Sequence, residues 1–237
     1  MIKSTTPQDK SVKRLYSALM LKQLYKMKEL GFNYTSMSLP NLDDSFELPN
    51  SLEELKKVVS NCYLCELSKT RTKVVFGEGN PQAKLMFIGE GPGATEDSTG
   101  RPFVGRAGEL LTKMIENVLN IKREDIYIAN IVKCRPPNNR VPTPAEAMSC
   151  LPYLQKQIEI INPKLIVTLG STAYRYLLND TTSISRVRGT VIQKDSFKVI
   201  PTFHPSYLLR NPSAKRLAYE DMLKVKELLN YTDSPTG

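Results

Sequence analysis

The chain has 237 residues, 41% of them hydrophobic, enough to bury one sizeable core and to argue against a disordered or fibrous polymer. Lysine and arginine number 33 against 24 acidic residues, and the formal charge of +9 favours a polyanionic partner such as nucleic acid. No apolar run approaches the roughly 18 to 20 residues that span a bilayer, and the polar start lacks the apolar middle of a secretory signal, so a soluble cytoplasmic protein with reduced thiols is expected.

Residues 1–35 carry seven basic residues against Asp9 and Glu29. Val12, Leu15, Tyr16, Leu19, Tyr25 and Leu30 recur near helical spacing, which predicts a basic amphipathic helical arm, either a solvated helix or a DNA contact. Residues 36–50 hold three acids, no basic residue and two prolines, and are expected to be a linker. A folded domain is expected over 51–230, with 26 basic against 19 acidic residues from Ser51 onward, and a short tail over 231–237.

From Lys84 onward, β-rich runs at 84–89, 126–132, 165–170 and 198–203 alternate with helical patterns near 105–119, 144–161, 171–178 and 213–229. That order is the signature of an α/β fold with a parallel sheet flanked by helices. If the strands run the same way, the segments that follow them share one edge, where open α/β sheets bind ligands. After the first strand comes Gly89-Glu90-Gly91-Pro92-Gly93, whose glycines allow a sharp turn and close approach to a ligand, without the spacing of a dinucleotide fingerprint. Phe103, in a polar glycine-flanked stretch, either stacks on a planar ligand or caps the core. Asn130 ends the second strand and either reads a pyrimidine edge or holds a neighbouring loop. The fourth strand runs into His204, the only histidine in the chain, placed before a proline-fixed turn on the same edge.

Cys62 and Cys65 form C-x2-C, half of a metal site; Cys134 lies beyond the second strand and Cys150 near the start of the next helix. Either the four are unrelated buried cysteines, or they hold structural zinc or a four-iron cluster, between which spacing does not choose.

The segments GEGPGATEDSTGRPFVGRAG, IANIVKCRPPNNRVPTPAE and TFHPSYLLRNPSAKR, with the four cysteines at these intervals, resemble the family 4 uracil-DNA glycosylases, the iron-sulfur branch of the uracil-DNA glycosylase superfamily. The resemblance spans about residues 52–229 and leaves the arm without an inherited role. It implies a three-layer α/β/α sandwich around a four-stranded parallel sheet and a structural [4Fe-4S] cluster on Cys62, Cys65, Cys134 and Cys150, zinc being the alternative. It also implies a monomer that hydrolyses the bond joining uracil to deoxyribose in single- or double-stranded DNA.

On that resemblance His204 donates a hydrogen bond to the uracil as negative charge develops, and Glu90 orients or deprotonates the attacking water, or else holds its loop. Gly91 contributes its backbone, Phe103 stacks on the base, and Asn130 reads its O4 and N3-H edge. Leu208 is the wedge that fills the emptied base stack, with Leu209 in reserve, while Arg210, Lys215 and Arg216 hold phosphates. Glu96 and Asp97 are expected to fix the loop or cap the next helix. The rival readings are a protein that grips uracil-containing DNA without turnover and a polymerase-associated module with a zinc knot. The single histidine argues against the covalent-adduct form of the first.

Overall fold

Leu85–Gly89, Tyr127–Asn130, Leu165–Leu169 and Phe197–Thr202 are short apolar runs rich in β-branched residues, and all but the first two residues of the last are buried. Strands of that kind need helices on both faces, which is what a parallel sheet provides. The computed structural model describes residues 48–194 and 196–233. The arm, most of the linker and most of the tail lie outside the described residues.

Among the described residues the sheet has six strands: β1 (Glu78–Gly79), β2 (Leu85–Gly89), β3 (Tyr127–Asn130), β4 (Leu165–Leu169), β5 (Ile192–Lys194) and β6 (Phe197–Thr202), in the order β1-β3-β2-β4-β6-β5. The inner four are parallel, as expected. The expected count of four is corrected to six by the antiparallel edge strands β1 and β5, of two and three residues, too short to show a sequence period.

The helices are α1 (Leu52–Ser60), α2 (Ala94–Thr99), α3 (Arg106–Met114, continued by a π-turn over Ile115–Leu119), α4 (Pro144–Ile161), α5 (Gly170–Leu178), α6 (Ile184–Val187), α7 (Pro205–Arg210) and α8 (Lys215–Asp233). One face of the sheet packs Phe87, Ile128, Val167 and Ile200 against Leu111 and Ile115 of α3, Leu208 of α7 and Met222 and Val225 of α8. On the other side α1 packs on α4, and α4 and α5 pack together, giving three layers. Ser51 caps α1 by accepting from the Glu54 N–H at 3.2 Å. Thr143 and Glu146 form a reciprocal cap on α4, reinforced by a bidentate Arg140–Glu146 pair at 2.8 and 2.7 Å.

From β2 the chain passes to β3 on one side, then returns across β2 to β4 and on to β6. The carboxyl ends of β2 and β4 therefore flank the switch point where ligands bind in open sheets.

Candidate active site

The strand register brings the first two site residues together. Gly89 pairs with Asn130, and the pairing runs on past the strands through Ile131 N–H to Gly89 O at 2.9 Å and Val132 N–H to Glu90 O at 3.1 Å. A Cβ on Gly89 would lie 2.5 Å from both Asn130 Oδ1 and the Phe103 ring. Only glycine lets the carboxamide and the ring meet there. Gly91 is constrained in the same way, since its Cβ would fall 2.7 Å from Val132 Cγ2.

Phe103 is buried and sits in the left-handed region at φ 50°. A bulky residue there costs of order 1 kcal/mol or more, so its loop must be held. Glu96 holds it. One carboxylate oxygen accepts from the Val104 and Gly105 N–H groups at 3.0 and 2.9 Å, and the other accepts from Gly93 N–H at 3.1 Å. Arg123 adds a bond to Pro102 O at 2.7 Å. Asp97 accepts from Thr72 N–H at 2.9 Å and ties α2 to the segment that follows Cys65. These carboxylates fix the loop, as expected from the sequence.

Asn130 is 1% exposed, and its Oδ1 has no hydrogen-bond partner among the described residues. Leaving such an acceptor unmade costs about 1–3 kcal/mol, so the oxygen lacks a partner that the described residues do not supply. Opposite it, the Phe103 and His204 rings have centroids 5.7 Å apart at 34°. The backbone of Gly170, at φ 88°, packs so closely on His204 that a Cβ would lie 3.0 Å from the His204 Cβ.

His204 caps α7. Its Nδ1 accepts from Ser206 N–H at 3.1 Å and lies 2.8 Å from Ser206 Oγ. A backbone N–H can only donate, so Nδ1 is the acceptor and the neutral ring carries its proton on Nε2. Burial, helped by the charge of Arg210 and opposed by Glu96, pushes the His204 pKa down to about 4. The imidazole is therefore neutral at pH 7. Across the switch crevice Thr172, in the first turn of α5, donates to Glu90 Oε2. Thr172 is not among the site residues expected from the sequence, because a threonine in a helical turn carries no signal of its own; the position of that turn across from β2 is what reveals it.

Leu208 is a correction. It is 1% exposed and packed into the core, so it cannot enter DNA without opening a cavity. The residues from Pro205 to Arg210 form a helix, whose period turns Leu208 inward and leaves Leu209 36% exposed. Of the two leucines, Leu209 is the one that reaches the surface. Arg210 and Lys215 are exposed at the end of α7 and the start of α8, and Arg216, also exposed, pairs with Glu220 at 3.3 Å.

The cysteines gather behind β3. Arg71 Nη1 donates to Cys62 O at 2.7 Å and lies 3.3 Å from Cys134 Sγ, and Lys133 N–H lies 3.3 Å from Cys150 Sγ. Burial raises the Cys65 and Cys134 thiols and pushes Cys150 up to about 12, with the neighbouring cysteines raising one another further. Among the described residues, no three His, Cys, Asp or Glu side chains are grouped to hold a single metal ion. Lys133 is 1% exposed, and its Nζ donates to Asn130 O at 2.9 Å and Gln157 Oε1 at 2.6 Å. Gln157 in turn donates to Phe76 O at 2.9 Å and the Tyr127 hydroxyl at 3.2 Å.

Glu90, Phe103, Asn130 and His204 thus gather at the switch point, the edge at which open α/β sheets hold their ligands. Residues 76–224 match the family described as the uracil DNA glycosylase superfamily. The chain belongs to that superfamily and, within it, to the type-4 uracil-DNA glycosylases. It is 53% identical over 185 residues to a type-4 uracil-DNA glycosylase of Thermotoga maritima, covering 75% of this chain and 96% of that protein. It is 47% identical over 187 residues to one of Sulfurisphaera tokodaii, covering 76% and 85%, and 46% identical over 189 residues to one of Saccharolobus solfataricus, covering 76% and 88%.

Proposed function

We propose that the protein is a cytoplasmic DNA-repair enzyme that excises uracil from DNA by hydrolysing its N-glycosidic bond, leaving an abasic site for base-excision repair. The observation that carries this reading is the buried, unpaired Asn130 Oδ1 beside the Phe103 and His204 rings. Uracil offers an N3–H donor to that oxygen; cytosine offers a lone pair at N3 and is refused.

The target base must leave the duplex at a cost of a few kcal/mol. Leu209 fills the gap, Arg210, Lys215 and Arg216 hold phosphates, and Phe103 stacks on the extruded ring, an interaction worth roughly 1–3 kcal/mol. As the bond breaks, N1 leaves with the electron pair and the sugar gains oxocarbenium character. His204 Nε2–H donates to uracil O2 as charge builds there, a contribution of about 3 kcal/mol for one aimed donor. Because this imidazole is neutral, it acts as a hydrogen-bond donor and not as a cation. Glu90, braced by Thr172, orients the water that adds to the sugar carbon and favours the cationic ring. Gly91 gives its backbone room beside the base.

The cysteines fit a [4Fe-4S] cluster, with structural zinc as the alternative. Four free thiols form the donor set; the Arg71 guanidinium lies 3.3 Å from Cys134 Sγ and the Lys133 backbone N–H 3.3 Å from Cys150 Sγ. Donors aimed at sulfur suit metal-bound thiolates, whose negative charge strengthens such bonds. Such a centre would clamp the segment of Cys62 and Cys65 to that of Cys134 and Cys150, with no redox role. Metal analysis and visible absorption of the purified protein decide between iron and zinc.

The testing experiment is release of free uracil from single-stranded and duplex oligonucleotides by the wild type and His204→Ala. Release by the wild type and its absence in the variant support the reading; release of similar rate by both refutes the role of His204.

A further inference from the structure

A cleft of about 270 Å³ opens between α3 and α7, lined by Arg106, Glu109, Leu110, Lys113, Leu209 and Lys215. Along the same helix a second depression of about 500 Å³ shares Glu109 and Lys113 and reaches the Phe103 loop. The two hollows adjoin at Glu109 and Lys113, one reaching Phe103 and the other Leu209. Arg106, Lys113 and Lys215 are exposed and make no ion pair among the described residues. Some cations of the described surface are matched, as in Arg101–Glu78 and Arg216–Glu220, whereas these three stand together around one hollow. Three unmatched cations around a small hollow repel one another and raise a positive potential that only an anion relieves. Glu109, one turn from both Arg106 and Lys113, is the single acid lining the cleft and lowers that potential. The apolar walls, Leu110 and Leu209, suit the sugar faces between phosphates.

We infer that this cleft is a second DNA-backbone site, in which Arg106 and Lys113 join Lys215 in holding phosphates and Glu109 acts as a built-in brake on affinity. It deepens the proposed function, since the anion is taken to be the DNA that carries the uracil. The phosphates come either from the uracil strand or from its complement, and the two sources differ in whether a single strand suffices.

The test is equilibrium binding of the full chain to a uracil-containing oligonucleotide, single-stranded and duplex, across a salt series, with uracil release followed in parallel. Arg106→Ala with Lys113→Ala is expected to weaken binding and to flatten the slope of log affinity against log salt by about two units, one for each phosphate no longer held. Glu109→Gln is expected to do the opposite, binding more tightly with a steeper slope, which a merely structural residue would not do. A flatter slope on both substrates supports the inference and assigns the uracil strand; a flatter slope on duplex alone supports it and assigns the complement. An unchanged slope on both, or weaker binding by Glu109→Gln, overturns it. The two readings fail separately: wild-type protein that shows the slope changes but releases no uracil sinks the proposed function and leaves the cleft, and uracil release with unchanged slopes does the reverse.

Discussion

Asn130 of the base pocket and Cys134 of the cysteine site are four residues apart on one segment, yet their surroundings are electrostatic opposites. Three of the groups that meet at the pocket carry no charge at pH 7: Asn130 is an unpaired carboxamide, Phe103 a ring, and His204 an imidazole whose pKa is pushed down to about 4. Beside the cysteines the protein half-buries a positive charge, the Arg71 guanidinium, 3.3 Å from Cys134 Sγ. A neutral pocket keeps its electrostatic work for the charge that develops on the base, whereas a cation-lined site is matched to negative charge that is always present. Lys133 touches both, donating its backbone N–H toward Cys150 and its Nζ to Asn130 O.

Removing that shared residue is expected to have the largest effect. Lys133→Met leaves Asn130 O and Gln157 Oε1 without their shared donor and is expected to lower stability by about 2–5 kcal/mol, read in denaturant unfolding.

On the pocket side, His204→Ala is expected to slow single-turnover uracil release about 100-fold, with about 1 kcal/mol of stability lost at pH 7 from the α7 cap. The same histidine sets a pH dependence. Below about 6.5 the unfolded chain takes up its proton, while the folded imidazole stays neutral until about pH 4. Stability is therefore flat in this group above pH 6.5 and falls by about 3 kcal/mol as the pH drops through that window. His204→Ala removes this fall, and urea unfolding at pH 7 and pH 4 measures it. The smallest effect is expected at the brace: Thr172→Val removes one bond to Glu90 and is expected to reduce release roughly 5- to 10-fold, with DNA affinity unchanged.

All four inner strands begin within one residue of where the sequence placed them, because fully buried parallel strands are unbroken apolar runs. The register that sets Gly89 beside Asn130, and the convergence of Phe103 and His204, follow from reading what comes after each strand. What stays hidden has no periodic signal. The strands β1 and β5 are too short for one, and α2 has no apolar face to repeat. In α7, two adjacent leucines look alike in sequence, and only the helix phase sends Leu208 inward and Leu209 outward. Lys133 resembles an ordinary basic residue at a strand end; its burial depends on Gln157, 24 positions away.

The most direct test of the reading is base release under single-turnover conditions from oligonucleotides carrying one uracil or, in its place, one cytosine, by the wild type and Asn130→Ala. The expected result is release of uracil and not cytosine by the wild type, with most uracil release abolished in the variant. Near-normal uracil release by Asn130→Ala, or release of cytosine by the wild type, would contradict a pocket built around an acceptor kept free for N3–H.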